Sequence, residues 1–190
     1  LSAQLRSQGR TPYSIPVGGS VPVGCLGYVN CAREIANQAD ELGVRLDAVV
    51  SAVGSGGTYA GLTLGAKLFL PGTRSVGVGV CDDPFEEISL ELMRETARLL
   101  DCDIQPCAED IQIHYHIGPG YAIPSSGGCA AVRRLARAEG ILADPVYTGK
   151  ALAGFFELLE QGAFDQDEDI LFVHTGGAGA LFAVDLPAED

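Results

Sequence analysis

The residues best suited to bind a ligand form one short run in the first half of the chain. The run consists of Gly54, Ser55, Gly56, Gly57 and Thr58. An apolar segment at residues 47–53 precedes it and is typical of a buried strand, and helical spacing of apolar residues follows it over residues 59–70. The run, called the glycine loop below, is therefore expected where a strand leads into a helix. The first amides of a helix lack intrahelical partners and the helix dipole is positive there, so this position favours a phosphate.

Two well-known phosphate loops have a different pattern. A Walker A loop requires a lysine directly before its closing Ser or Thr, and no lysine precedes Thr58. A dinucleotide loop requires G-x-G-x-x-G with an acidic residue about 20 positions later, which Gly54, Gly56 and Gly57 do not match. From the loop alone, an ordinary glycine-rich turn without a ligand is therefore an alternative to a phosphate site.

The elements around the loop predict an α/β fold. Strands are expected at residues 47–53, 75–80, 111–115 and 169–175. Helices are expected at residues 28–42, 59–70 and 85–100, from Ser125 or Ser126 to Glu139, and up to about Gln161. This alternation predicts a mostly parallel sheet with helices on both faces. Residues 1–24 contain three prolines and a glycine pair, and they are expected to form an irregular connecting segment before a domain at residues 25–190.

A second glycine-rich segment, HTGGAGA, follows the last predicted strand. Ligands of such sheets bind beyond the carboxyl ends of the strands. We therefore expect this segment and the glycine loop to open on the same edge of the sheet.

The charge and composition of the chain exclude several classes of partner. The chain has 12 Lys and Arg against 25 Asp and Glu, a formal net charge of −13, and no basic cluster. Nucleic acid and anionic membranes are therefore not expected as partners. No apolar run reaches the ~18 residues of a transmembrane helix, and the first residues lack a signal-peptide core. The six cysteines form no C-x-x-C pair, which favours reduced thiols in a cytoplasmic protein.

Two histidines raise the possibility of a metal site. His114 and His116 are two positions apart and could share one face of a strand, and His174 is the other histidine of the chain. The sequence places no carboxylate or cysteine to complete a coordination shell around them, so no metal is expected.

Several segments together resemble one enzyme family. In chain order they are PYSIPVGGS, GSGGTYAGL, GPGYAIP, GILADPVYTGKA and ILFVHTGGAGALF. In this order and spacing they resemble the D-cysteine desulfhydrase and 1-aminocyclopropane-1-carboxylate (ACC) deaminase family. Its members use pyridoxal 5′-phosphate and have the tryptophan synthase β-like fold, fold type II among pyridoxal-phosphate enzymes. The resemblance covers nearly the whole chain.

The resemblance implies a role for each candidate residue. The cofactor phosphate would lie on the glycine loop, at the amides of residues 55–58, and Thr58 could add its hydroxyl. Thr175 matches the family residue whose hydroxyl faces the pyridine nitrogen. Tyr121 and Tyr147 match the family's active-site tyrosines, and each offers a phenol to the substrate. Without the resemblance, the tyrosines could instead be packing anchors, and Thr175 could cap a strand-to-helix turn.

The same resemblance implies an activity. The sequence PVYTG, with Thr148 where deaminase members have a glutamate, is similar to the desulfhydrase branch. This implies β-elimination on a small amino acid such as D-cysteine, giving pyruvate, ammonia and sulfide. ACC deamination, sulfo-lyase action on cysteate and a non-catalytic module that binds a phosphate ligand or a subunit are the alternatives.

One residue that this chemistry requires is missing from the matched positions. The chain has two lysines, Lys67 and Lys150, and neither matches the family lysine that binds the cofactor covalently. Val21 also stands where the family commonly has a polar residue. We therefore expect the chain to be the C-terminal part of a longer enzyme. It would need a lysine-bearing part or subunit, and its unpaired surfaces favour association, including a homo-oligomer.

Overall fold

The computed structural model describes residues 1–184 and 186. The helices are α1 (Ser2–Ser7), α2 (Pro22–Leu42), α3 (Gly57–Phe69), α4 (Phe85–Leu100), α5 (Ser126–Glu139) and α6 (Thr148–Glu160). The strands are β1 (Ala48–Val53), β2 (Arg74–Gly79), β3 (Ile113–Tyr115) and β4 (Ile170–Val173). Short 3₁₀ turns lie at Val17–Gly19, Ala108–Asp110 and Ala178–Ala183.

The four strands form one parallel sheet in the order β3-β2-β1-β4. Ala48 of β1 pairs with Arg74 of β2 on one side and with Ile170 of β4 on the other, and Gly77 of β2 pairs with Ile113 of β3. Helices α2, α3 and α4 pack together on one face, and α5 and α6 cover the other. The predicted α/β architecture with helices on both faces is confirmed.

Alternating residues of β1 send their side chains into the two halves of the core. Val49 packs with Leu62 and Ala66 of α3, whereas Val50 packs with Ala151 and Leu158 of α6. Both valines are buried, because a central parallel strand has helices on each side. This burial on both faces explains why the first predicted strand consists mostly of apolar residues.

Helices α2 and α3 approach each other closely at two glycines. A Cβ atom on Gly61 would lie 2.5 Å from the carbonyl oxygen of Cys25, and one on Gly65 would lie 2.5 Å from the Cβ of Ala32. The two glycines are four residues apart and therefore share one face of α3. The α2 backbone occupies the space that side chains would otherwise fill.

The beginning of the chain differs from the prediction. Residues 2–7 form α1, and α2 begins at Pro22 instead of Tyr28, so the helix crosses the predicted boundary at residue 24. Proline is tolerated in the first turn of a helix because its missing N–H has no intrahelical acceptor there. Packing of Cys25 and Val29 against α3 and α4 stabilises the early turns despite their glycines. None of the helices in the described residues is long and apolar enough to cross a bilayer.

Candidate functional site

A cleft of about 250 Å³ lies beyond the carboxyl ends of β1 and β4. Its lining includes every predicted site residue except Gly56 and Gly57. The lining residues are Val17, Gly18, Ala52, Gly54, Ser55, Thr58, Tyr121, Tyr147 and Thr175. The two glycine-rich strand exits therefore open on one cleft, as the parallel sheet predicts.

The glycine loop forms part of the wall of this cleft through Gly54, Ser55 and Thr58. Gly56 is the N-cap of α3 and has a left-handed conformation with φ of 83°, which favours glycine. The helix then begins at Gly57, so its first amides have no intrahelical acceptor. A Cβ on Gly56 would lie 2.9 Å from Ile88 Cγ2, and one on Gly57 would lie 2.8 Å from Ser20 Oγ. These two glycines lie behind the cleft and let the loop pack against α4 and the N-terminal segment.

The N-terminal segment supplies one wall of the cleft, a role that the sequence did not predict. Ser20 Oγ donates a hydrogen bond of 2.8 Å to Ser55 Oγ. A Cβ on Gly18, whose φ is 73°, would lie 2.5 Å from the same Ser55 oxygen. Val17 and Gly18 line the cleft directly. The available signal was the glycine pair in PYSIPVGGS, because consecutive glycines permit such a close backbone approach.

Two tyrosines from different segments form a pair at the mouth of the cleft. The hydroxyls of Tyr121 and Tyr147 are hydrogen-bonded to each other, and their ring centroids are 6.1 Å apart in an edge-to-face arrangement. The hydrogen bond with Tyr121, followed by burial, raises the pKa of Tyr147 to about 12, and the negative charge of Asp144 acts in the same direction. The Tyr147 phenol therefore keeps its proton at neutral pH.

Gly54 makes room for this pair. A Cβ at Gly54 would lie 2.8 Å from Cε1 of the Tyr147 ring. The ring therefore packs directly on the backbone at the exit of β1. This contact places the Tyr147 ring against the first residue of the glycine loop.

Thr175 is positioned by the loop that follows β4. Thr148 Oγ1 donates to the Gly176 carbonyl at 3.2 Å. His174 Nδ1 accepts from the Gly176 amide at 3.2 Å, and His174 Nε2 lies 2.9 Å from the Leu142 carbonyl. Because Nδ1 accepts, Nε2 carries the proton and donates to that carbonyl, as in a neutral imidazole. These bonds tie the β4 exit to the segment that leads into α6.

Neither lysine of the chain lines the cleft. Lys67 forms an ion pair with Asp110 at the other end of α3. Lys150 is fully buried, and its Nζ donates to the Gly120 carbonyl at 2.6 Å. Burial lowers the pKa of Lys150, because the charged amine loses solvation.

His114 and His116 lie on and beside the edge strand β3, away from the cleft. His116 Nδ1 is 3.0 Å from Glu157 Oε2 of α6. Within residues 1–184 and 186, no group of three or more His, Cys, Asp or Glu side chains is placed to hold a metal ion.

The cleft residues fit pyridoxal 5′-phosphate at two ends. The opening amides of α3, with the hydroxyls of Ser55 and Thr58, match a phosphate dianion in charge and in donors. Thr175 offers a neutral hydroxyl at the exit of β4, where a ring nitrogen could be bound. The volume lies slightly below the ~300–1,000 Å³ of drug-sized ligand sites, which suits a small cofactor.

Comparison with known proteins relates the chain to enzymes of this kind. The family profile described as pyridoxal-phosphate dependent enzyme matches residues 1–176. A D-cysteine desulfhydrase of Klebsiella pneumoniae is 44% identical over 183 residues, which are 96% of this chain and 56% of that protein. The chain thus spans about half the length of this relative.

Two solved structures show the same fold. A crystal structure of an ACC deaminase homologue superposes with a TM-score of 0.83 at 37% identity, covering 93% of this chain and 52% of that one. A crystal structure of O-ureido-L-serine synthase has a TM-score of 0.62 at 17% identity, with 97% and 55% covered, and shows similarity of fold alone. The chain belongs to the family of pyridoxal-phosphate-dependent enzymes of fold type II, whose cofactor is pyridoxal 5′-phosphate.

Proposed function

We propose that the chain is the C-terminal part of a lyase that performs β-elimination on a small amino acid. Together with a lysine-bearing part, it converts a substrate such as D-cysteine and water into pyruvate, ammonia and hydrogen sulfide. The observation that supports this proposal is the convergence of Ser55, Thr58, Thr175 and the tyrosine pair on one cleft. The Klebsiella relative adds support for the substrate class.

In this proposal the glycine loop and Thr175 bind the two ends of the cofactor. The amides that open α3 and the hydroxyl of Thr58 hold the phosphate, while Ser20 fixes the rotamer of Ser55 through the 2.8 Å hydrogen bond. When bound, pyridoxal phosphate supplies an electron sink for negative charge at the substrate α-carbon. The Thr175 hydroxyl would lie at the ring nitrogen and would not force its protonation, because it carries no negative charge.

The tyrosine pair is assigned to the substrate. Tyr147 is protonated at neutral pH and can donate a hydrogen bond to a substrate carboxylate or to a departing thiolate. The Tyr121 hydroxyl is its hydrogen-bond partner and keeps the phenol aligned. Val17 and Gly18 line the same cleft, so a substrate held by the tyrosine pair would lie near them.

The position of Thr148 favours elimination over ring-opening deamination. Thr148 is 2% exposed, and its hydroxyl is bound to the Gly176 carbonyl. It therefore adds no charge beside Thr175. A glutamate at this position would introduce a buried negative charge near the cofactor ring and change how strongly the ring draws electrons.

The first experiment tests cofactor binding. The purified chain is titrated with pyridoxal phosphate, its visible absorption is recorded, and the mixture is reduced with borohydride before lysine mapping by mass spectrometry. We expect saturable binding that inorganic phosphate displaces and no stoichiometric labelling of Lys67 or Lys150. Specific labelling of either lysine at one equivalent would contradict the need for a second part.

The second experiment tests the reaction. The chain is mixed with a lysine-bearing N-terminal part of a family member, and sulfide is measured with D-cysteine and with L-cysteine as substrates. We expect sulfide release that requires both parts. If binding is intact but every thiol and sulfonate substrate stays unreacted, the chain is a non-catalytic module that holds a phosphate ligand or a subunit.

A further inference from the structure

A buried carboxylate lies between the two segments that carry Tyr147 and Thr175. Asp144 is fully buried. Its side chain accepts hydrogen bonds from the amides of Val146 at 2.8 Å, Tyr147 at 2.7 Å and Thr148 at 2.9 Å. The Asp144 carbonyl also accepts from the Gly149 amide at 2.7 Å. One residue therefore fixes the backbone on both sides of Tyr147.

The same carboxylate contacts the loop after β4. A Cβ on Gly177 would lie 2.7 Å from Asp144 Oδ1, and Gly177 has a left-handed φ of 88°. The loop backbone therefore packs directly on the carboxylate two residues after Thr175. The hydrogen bond from Thr148 to the Gly176 carbonyl is a second contact between the start of α6 and this loop.

This arrangement differs from an ordinary helix cap. A cap satisfies the amides of its own helix, and Asp144 does this for α6, whose N-cap residue Tyr147 makes no capping bond with its side chain. Asp144 additionally contacts a different element, the β4 exit loop. It does not line the cleft, whereas Tyr147 and Thr175 do.

We propose that Asp144 is a positioning residue that sets the Tyr147 phenol and the Thr175 hydroxyl at their spacing across the cleft. It acts through the amides around Tyr147 and through its contact with Gly177. This inference rests on the proposed function, because it assigns cofactor and substrate to that cleft. The charged or titratable groups that act on the Tyr147 phenol are Tyr121, Asp144 and Cys81, and all three hold its proton more tightly.

The test compares Asp144→Asn with Asp47→Asn. Asparagine has nearly the same size as aspartate but lacks the charge and one acceptor. Asp47 is a matched control, because its side chain also accepts a hydrogen bond from a backbone amide, that of Asp169 at 3.0 Å. This bond lies at the amino-terminal ends of β1 and β4, whereas the cleft lies at their carboxyl ends. The Tyr147 titration is followed by NMR of ring-labelled tyrosine without cofactor. Affinities for pyridoxal phosphate and for inorganic phosphate are then measured separately.

For Asp144→Asn we expect the Tyr147 pKa to fall toward the ordinary tyrosine value. We also expect about tenfold weaker binding of pyridoxal phosphate and less than a twofold change for inorganic phosphate, because the amides that Asp144 binds lie at the start of α6 and not in the glycine loop. Asp47→Asn is expected to change none of the three. An unchanged Tyr147 titration, or an equal loss of affinity for pyridoxal phosphate and for inorganic phosphate, overturns the proposal. Asp144 would then be only a structural cap of α6.

If Asp144→Asn does not fold, Gly177→Ala replaces it, since the new methyl group would press on Asp144 Oδ1. We expect a changed Tyr147 titration, because a displaced Asp144 carboxylate moves relative to the phenol and to the amides around it, and an unchanged titration overturns the proposal. The titration needs no ligand. A wild-type chain that binds no pyridoxal phosphate therefore refutes the proposed function. The Tyr147 titration still tests the role of Asp144 in that case.

Discussion

Thr58 differs from the rest of the glycine loop because its side chain can add a donor to the backbone amides. It lines the cleft in the first turn of α3. A hydrogen bond to a charged group contributes about 1.5–3 kcal/mol, so its loss weakens phosphate binding about tenfold or more. We therefore expect Thr58→Val to lower the affinity for inorganic phosphate and pyridoxal phosphate alike, as measured by titration calorimetry.

The matched control is Thr63→Val on the same helix. The Thr63 hydroxyl is buried and does not line the cleft. We expect this variant to bind phosphate like the wild type. Equal losses in both variants would mean that replacing any hydroxyl of α3 by a methyl group, and not loss of the Thr58 hydroxyl in particular, weakens the site.

Tyr121 controls the protonation of its partner. Its hydrogen bond is the largest cause of the raised pKa of Tyr147. In Tyr121→Phe we expect the Tyr147 pKa to fall from about 12 toward the ordinary value near 10, as measured by NMR of ring-labelled tyrosine. Tyr13→Phe is the control, because Tyr13 is exposed. A Tyr147 pKa that stays at about 12 in Tyr121→Phe would show that burial and the neighbouring Asp144 and Cys81, not the hydrogen bond, set it.

At the scale of single residues, the sequence predicted which side chains lie in one place but not the hydrogen bonds between them. Motif spacing placed Ser55, Thr58 and Thr175 at strand exits, and the structure brings them to one cleft. The Ser20–Ser55 hydrogen bond joins positions 35 residues apart. Asp144 and Gly177 are also distant in sequence, and their contact depends on the packing of α6 against β4. Spacing along the chain contains no signal for such contacts.

At the scale of elements, the first turn of α6 is linked to the GPGY loop by a buried amine. Lys150 reaches from α6 to the Gly120 carbonyl, next to Tyr121. Its lowered pKa means that the folded protein releases this proton before the unfolded chain does. The unfolded chain then binds more protons, so this residue makes stability rise with pH until the ordinary lysine value of about 10.4 is reached.

Lys150→Met tests this link. Methionine is of similar length and has no charge to desolvate, so we expect a small change in stability at pH 7 in urea unfolding. We expect the Tyr121 loop to loosen and the Tyr147 pKa to fall. The wild type should also gain stability relative to the variant as pH approaches 10. Lys67→Met is the control, because Lys67 lies at a partly exposed ion pair away from the cleft. An unaltered Tyr147 titration in Lys150→Met would argue against the link.

Element types were predictable wherever apolar periodicity was strong. The helix over Phe85–Leu100 and the end of α5 at Glu139 agree with the apolar spacing and the glycine after it. The start of α2 was not predictable, because Pro22 and Gly24 have poor helix propensity. There, packing against α3 and α4 outweighs local preference.

At the scale of the whole molecule, one tyrosine joins α3 to two strands. Tyr59 is 1% exposed, and its hydroxyl accepts from the Gln112 amide at 2.8 Å. The hydroxyl also lies 3.3 Å from the Ser75 carbonyl, at the beginning of β2. Burial raises the pKa of Tyr59 to about 12.

The order of the strands in the sheet could not be predicted from the sequence. The periodicity of apolar residues predicts that a segment is a strand, but it does not indicate that β1 lies between β2 and β4.

Alkaline unfolding tests the role of Tyr59. The unfolded tyrosine titrates near 10 and the folded one at about 12, so the stabilisation is complete below pH 10 and is lost as pH rises to 12. The shift corresponds to about 2–3 kcal/mol. We expect Tyr59→Phe to be less stable than the wild type at pH 7 but to lose less stability between pH 10 and 12 in urea unfolding. Tyr13→Phe should follow the wild type, and a Tyr59→Phe curve parallel to it would refute the assignment.

The contact of α2 with Gly61 and Gly65 has a consequence for engineering. Replacing mid-helix glycine by alanine usually stabilises a protein by about 0.4–1 kcal/mol, and a stabilisation campaign guided by secondary structure would choose both positions. Here the new methyl groups would meet the Cys25 carbonyl and the Ala32 side chain. They would force α2 and α3 apart, and with them Ser20 and Ser55, which precede the two helices. Thermostabilised variants of this protein should therefore be sought at other glycines, such as Gly27, where a methyl group would meet open space.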